Sequence, residues 1–217
     1  MSPSNPQSRP ILSVAIGPKS PQDRAAFQRA LSDLVEQDKS VQIECAEFGE
    51  QIRLKGMDES HLEACCEFIS RQRGIEIELG EPAVIYLEAI RTGAEGEGKY
   101  IRQTGGRGNY GHVKLWLEPL QSGKGYEFVN RATRDAVPLQ FIEPIDHGIQ
   151  AAMKAGILSA KEMVDVRAIL LDGSYHAEDS NEMAFRFAAS MAFKEAARKA
   201  APILLEPVMS VEAVVAT

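Results

Sequence analysis

The sequence predicts an α+β protein whose first half follows a split βαβ, ferredoxin-like order of elements. Three observations carry the prediction. Short apolar or alternating runs switch to helical periodicity and back. Helix start and stop signals stand at the switches. A polar, glycine-rich stretch, Thr92 to Gly98, divides the 217 residues into two parts.

Ile11 to Ile16 (ILSVAI) is a continuous apolar run that suits a buried strand. Ser20 and Pro21 supply an N-cap and a first helical residue. Ala26, Phe27, Ala30, Leu31, Leu34 and Val35 recur at helical spacing, so 21–37 is an amphipathic helix. Val41, Ile43 and Cys45 alternate, as do Ile52 and Leu54, and Gly49 between them marks a hairpin. Leu62, Cys65, Cys66 and Ile69 outline a second helix closed by Gly74, and Ile75, Ile77 and Leu79 alternate again. A strand over 83–90 leads into Thr92 to Gly98, which reads as an interdomain linker.

The second half opens with a strand from Lys99 to Gln103 and a glycine loop. Val113, Leu115 and Leu117 alternate as a strand, with Tyr126, Phe128 and Asn130 as its hairpin partner. A helix over 138–155 ends at Gly156. Val164, Val166, Ala168 and Leu170 form a strand stopped by Asp172 and Gly173. Asp179 with Glu182 makes a capping-box-like start for a helix over 180–200, with Met183, Phe187 and Met191 on one face and Pro202 barring its continuation. A strand from Ile203 to Val215 closes the chain.

Composition limits the function classes. Hydrophobic residues make up 44% and charged residues 25%, the profile of a soluble globular chain. No apolar run approaches the roughly 18 residues of a membrane span. Met1 to Pro10 lacks the apolar centre of a signal peptide and reads as a disordered lead-in over 1–9. Cys45, Cys65 and Cys66 have no spacing that suits zinc or a disulfide framework, so they read as small buried hydrophobes in a reducing cytoplasm, and no metal is expected. Net charge is −7, but it is uneven: residues 1–95 hold 10 Lys+Arg against 16 Asp+Glu, residues 96–217 hold 14 against 15. A local basic loop can therefore still meet phosphate.

Several motifs are decoys. Gly106, Gly108 and Gly111 satisfy G-x-G-x-x-G, and Val113 extends the match to a kinase glycine loop. A dinucleotide fingerprint must open a helix, whereas this one opens a strand, and a kinase would need H-R-D and D-F-G, which the sequence lacks. A phosphate-binding G-x-x-x-x-G-K-[ST] is also missing: Gly98-Lys99 is followed by Tyr100, and Gly123-Lys124 by Gly125. Asp172 to Ser180 joins a strand to a helix start, and His176 within it is a candidate ligand or acid–base group. No nucleophile is paired with a base in the sequence, which leaves hydrolysis unsupported.

Three blocks carry a family resemblance: EGKYIRQTGGRGNYGH at Glu97 to His112, Ile169 to Met191 with DGSYH and with NEMAFRFAASMA, which ends one residue on at Ala192, and ILLEPVMSV at Ile203 to Val211. They resemble domain IV of bacterial elongation factor G. Residues 10–92 resemble domain III of that family more weakly. Where the family favours G-M-G-E-L-H-L-E, this chain reads Gly56-Met57-Asp58-Glu59-Ser60-His61-Leu62-Glu63, departing at Asp58 and Ser60. The implied organisation is domain III over 10–92, domain IV over 93–205 and the start of a domain V strand over 206–217. The resemblance implies a ferredoxin-like first domain and a second like domain 2 of ribosomal protein S5, with a left-handed βαβ crossover.

It also implies a role in translation: binding the ribosome, with two tip loops contacting the tRNA–mRNA duplex in the small-subunit decoding region during translocation. Carried over, one loop is Arg102, Gln103, Gly105, Gly106, Arg107, Gly108, Asn109 and Tyr110, and the other Ser174, Tyr175 and His176. Arg102 and Arg107 would meet phosphates and Gln103 sugar or base edges. Asn109 stands where the family usually has glutamine, and His176 where archaeal and eukaryotic relatives carry a modified histidine. No catalytic residue or cofactor is implied, since GTP would bind domains other than these. The expected partners are the ribosome and the remaining domains of a full factor, with no membrane and no DNA. The chain is then either a piece of a full factor or a short paralogue, its own Met1 favouring the latter. The competing expectation is a protein-interaction module that has kept the fold and lost the ribosome, suggested by the acidic first half and by Asp58 and Ser60.

Overall fold

The computed structural model describes residues 9–45, 52–103 and 108–208. The lead-in over 1–8, the Gly49 turn and residues 209–217 of the expected closing strand lie outside the described residues. The architecture is α+β, in two compact units that divide at Ile85/Tyr86.

In the first unit the order is β1 (Leu12–Pro18), α1 (Arg24–Gln37), β2 (Gln42–Cys45), β3 (Ile52–Gly56), α2 (Glu59–Arg73), β4 (Ile77–Leu79) and β5 (Ala83–Val84). The antiparallel sheet runs β2-β3-β1-β4, with β5 also on β1. Ser20 caps the single turn Pro21–Asp23 that leads into α1. Phe27, Leu31 and Leu34 of α1 pack with Leu62 and Ile69 of α2 and with Val14 and Leu54 of the sheet. Gly74 ends α2 in the left-handed conformation (φ 63°), where glycine carries no Cβ penalty. Asp58, the departure noted above, caps α2 by accepting the His61 N–H at 2.7 Å.

The second unit contains β6 (Leu87–Ile90), β7 (Ala94–Gln103), β8 (Gly108–Pro119), β9 (Tyr126–Asn130), α3 (Ile142–Ala155), β10 (Val166–Ser174), α4 (Glu182–Lys199) and β11 (Pro202–Leu205). Its main sheet has the order β7-β8-β10-β9, and β6 pairs with β11. Phe185 and Phe193 of α4 and Ile145 and Ile149 of α3 are fully buried in one core with Leu115, Leu117 and Leu170.

Several expectations are corrected. Residues 94–98 are not a linker but the first half of β7, in register with Leu117 to Val113. The reason is close packing. A Cβ on Gly96 would strike the Ala192 carbonyl of α4, one on Gly98 the Ala188 carbonyl, and one on Gly111 would lie 2.5 Å from the Ala184 carbonyl. Glycine here lets a helix backbone lie directly on a sheet. The expected 83–90 strand is split into β5 and β6, and β6 joins the second unit through β11. The 126–130 strand does not pair with β8, whose two edges are taken by β7 and β10; it lies parallel to β10 instead. Asp172 and Gly173 do not stop β10, which absorbs them through an irregularity after Leu170 and continues to Ser174. The N-cap of α4 is Asn181, accepting from the Ala184 N–H at 2.9 Å, and not Asp179. The closing strand ends at Leu205.

One carboxylate organises the second unit. Glu88 of β6 is fully buried, and its two oxygens accept backbone N–H groups of Ile157, Leu158, Ser159 and Lys161 at 2.6–3.2 Å. Burial opposes its charge, but these four donors together hold its carboxyl below the usual range. No helix of the described residues is long and apolar enough to cross a membrane.

Candidate nucleic-acid interface

The two loops singled out in the sequence come together at one end of the second unit. Gln103 and Gly108 face each other at the ends of β7 and β8, and Ser174 at the end of β10 stands opposite His112 of β8. Arg102 and Gln103 are exposed on the last residues of β7. Gly105, Gly106 and Arg107 lie outside the described residues. From Gly108 onward the glycine-rich segment is strand, the context that rules out a dinucleotide fingerprint.

Polar contacts tie the loops together. Asp179 accepts the Gly108 N–H at 2.9 Å through its side chain and the Tyr110 N–H at 2.9 Å through its carbonyl. Asn181, while capping α4, donates its side-chain amide to the Asn109 oxygen at 2.7 Å. The Tyr110 hydroxyl meets the Ser174 hydroxyl at 2.8 Å. His176 closes its own turn, its N–H donating to the Ser180 hydroxyl at 2.8 Å while its carbonyl accepts the Ser180 N–H at 2.9 Å. Its ring, 59% exposed, lies 3.5 Å from an Asp179 oxygen and 6.5 Å between centroids from Tyr110. Lys99 Nζ sits 5.9 Å from the Tyr110 ring centre. Tyr175 is also exposed. The tip therefore offers ring faces and amide groups at solvent, on a base whose polar groups are already satisfied.

Sequence reasoning misses the connectors. From the sequence Asp179 reads as a helix cap, Glu97 and Asn181 carry no role, and His112 stands only as an alternative to His176 for an enzyme. The structure also corrects the view that nothing pairs a histidine with a hydroxyl. His112 Nε2 lies 2.7 Å from a Glu97 oxygen and Nδ1 lies 2.8 Å from Ser174 Oγ. Because a carboxylate only accepts, Nε2 carries a proton; with a neutral ring, Ser174 then donates to Nδ1 and accepts from Tyr110. The Ser174 hydroxyl is thus held on two sides, which suits a brace between β8 and β10. Tyr110 and His112 are two residues apart on one strand and so share a face, a signal the sequence did hold.

In the first unit, ligand atoms of Asp38, His61 and Cys65 lie within 4.8 Å of one another. They suit a hydrogen-bonded cluster better than a cation site. His61 Nδ1 accepts the Met57 N–H at 3.1 Å, so Nε2 carries the proton that it gives Asp38 at 2.9 Å. The Ser40 hydroxyl and His61 hold the Asp38 carboxyl down at about 2. Burial, with Asp38 adding repulsion, pushes the Cys65 thiol up to about 11. A thiol so placed is a poor ligand.

The two units of this α+β chain match one protein class. The family model for elongation factor G domain IV matches residues 82–201, and that for elongation factor G domain III matches residues 7–81. The chain is 48% identical over 206 residues to elongation factor G of Thermotoga maritima, covering 94% of this chain and 30% of that relative. It also resembles a crystal structure of a Thermus thermophilus protein, with TM-score 0.64 and 40% identity over 90% of this chain and 29% of that one. The chain belongs to the elongation factor G family, a family of translation factors, and spans about 30% of the length of the relative it matches.

Proposed function

We propose that this chain is a ribosome-binding part of a translocation factor, and that the tip of its second unit contacts the tRNA–mRNA duplex in the decoding region of the small ribosomal subunit. The observation that carries this reading is the joining of the two loops: Asp179 and Asn181 hold the β7–β8 end against the turn that presents His176. A rigid tip loses little conformational entropy on meeting RNA. Arg102 and Arg107 pair with phosphates, Gln103 and Asn109 with sugar or base edges, and Tyr110, Tyr175 and His176 supply ring faces. Gly105, Gly106 and Gly108 allow close backbone approach.

In the same reading the first unit is a ferredoxin-like domain, supported by its strand order β2-β3-β1-β4. The second is like domain 2 of ribosomal protein S5, supported by the parallel pairing of β9 and β10 around α3. GTP hydrolysis belongs to other domains of a full factor, which works in the cytoplasm. Co-sedimentation with intact ribosomes across a salt series tests the proposal. Arg107→Glu with His176→Ala lowers the pelleted fraction at least about tenfold at physiological salt. Equal pelleting of variant and wild type overturns the tip reading.

A further inference from the structure

We propose that the outer face of α4 is a second RNA-binding surface, distinct from the tip, that engages the phosphate backbone and unstacked bases of a structured RNA. The inner face of this helix is spent on the core: Ala184, Phe185, Ala188, Ala192, Phe193 and Ala196 are fully buried. The outer face combines two things that soluble helices usually keep apart. Met183, Phe187 and Met191 recur every turn and stay 51%, 48% and 47% exposed. Arg186, Lys194 and Arg198 stand among them, and none of their side chains makes an ion pair or hydrogen bond with another described residue. Lys199, by contrast, is held by Glu195 at 2.7 Å. In a chain of net charge −7, three uncompensated cations along one helix are a local excess.

The chemistry selects the partner. Methionine, phenylalanine and arginine side chains also suit a protein interface, so the choice rests on the charge: lysine is depleted from the centres of such interfaces, and three cations without a carboxylate partner suit phosphate. An RNA takes both features, phosphates on the cations and bases on the ring faces. A stacking platform is already built: the Tyr100 ring of β7 lies on Phe187 with centroids 5.0 Å apart and planes at 25°. From Met183 to Arg198 the face is about 22 Å long at 1.5 Å per residue, enough to follow several phosphates.

The test is filter binding of the 217-residue chain to purified small-subunit ribosomal RNA between about 50 and 200 mM salt. Arg186→Glu, Lys194→Glu and Arg198→Glu together lower affinity at least about tenfold and flatten the log–log salt slope by about two to three. Phe187→Ala weakens binding severalfold and leaves the slope unchanged. Arg186→Lys with Arg198→Lys keeps the wild-type slope. A control with the same charge change on the first unit, Arg24→Glu, Arg29→Glu and Lys39→Glu, moves affinity less than about threefold. Wild-type affinity and slope in the α4 triple variant overturn the proposal, and so does a control variant that loses as much as the α4 variant. Should the wild-type chain self-associate and Phe187→Ala abolish this with RNA binding intact, the face belongs to a protein partner and the proposal is overturned. The tip variant Arg102→Glu with His176→Ala is measured alongside: because the tip reading concerns the tRNA–mRNA duplex and is tested separately on intact ribosomes, this variant keeps near wild-type binding to the purified RNA, and a loss as large as that of the α4 variant would overturn the claim of a distinct surface.

Discussion

In the first unit two helices meet a sheet through large side chains, Phe27, Leu31, Leu34, Leu62 and Ile69. In the second, α4 meets β7 and β8 through alanines on the helix and glycines on the strands, so that backbone nearly touches backbone. Both interfaces exclude water, but they tolerate change differently. A large-side-chain interface can repack around one altered residue, whereas a glycine interface has no atoms left to move. The same contrast separates the carboxylates that brace each unit. Asp38 is braced near the surface by the hydroxyl and backbone N–H of Ser40 and by His61, while Glu88 is buried under four backbone donors.

The largest effect that would break this comparison is at Gly98. Gly98→Val places a side chain against the Ala188 carbonyl and destabilises the second unit by about 3 kcal/mol or more. Trp116 of β8 is the single tryptophan, so its fluorescence in a urea titration reads that unit. A midpoint equal to wild type would remove the claim of backbone-on-backbone packing. Next is Glu88→Ala, which leaves four loop N–H groups without their acceptor and costs about 2–4 kcal/mol by the same measurement.

The first unit and half of the second were legible because their signals are local. Side-chain periodicity placed α1, α2 and α4, and Gly74 and Gly156 marked helix ends as expected. What failed was long-range. Gly96 and Gly98 look like a linker until the helix that covers them is known. The partner of β9 depends on which edges of β8 are free. Asp179 three residues before Glu182 satisfies a capping pattern, yet its oxygen serves Gly108, 71 residues away in the chain. The sequence names the residues around Arg102 and those around His176 separately, and their joining through Asp179 and Asn181 was not legible in it.

Smaller effects sharpen the comparison further. Both bracing carboxylates have folded-state values below their unfolded ones, so each contributes stability that is present above the unfolded value and lost as pH falls through the folded one. For Asp38 that window runs from about 3.8 down to about 2. Asp38→Asn flattens the acid side of a far-ultraviolet melting series and leaves the Trp116 transition in place, and Glu88→Gln does the reverse. At the small end, Gly17→Ala in β1 changes stability by less than about 0.5 kcal/mol, since an added Cβ there meets nothing within 4 Å. A larger loss would show that the first unit also packs on bare backbone.

The account rests most on the joined tip meeting RNA, and tethered hydroxyl-radical cleavage tests this directly. An iron chelate is attached at His176→Cys in a Cys45→Ser background; burial pushes the Cys65 and Cys66 thiols to about 11 and keeps them unreactive. With ribosomes added, the account predicts cleavage clustered in the decoding-region RNA of the small ribosomal subunit, reduced by Asp179→Ala, which releases the two loops from one another. Cleavage scattered over other ribosomal RNA, or a pattern indifferent to Asp179→Ala, would contradict it.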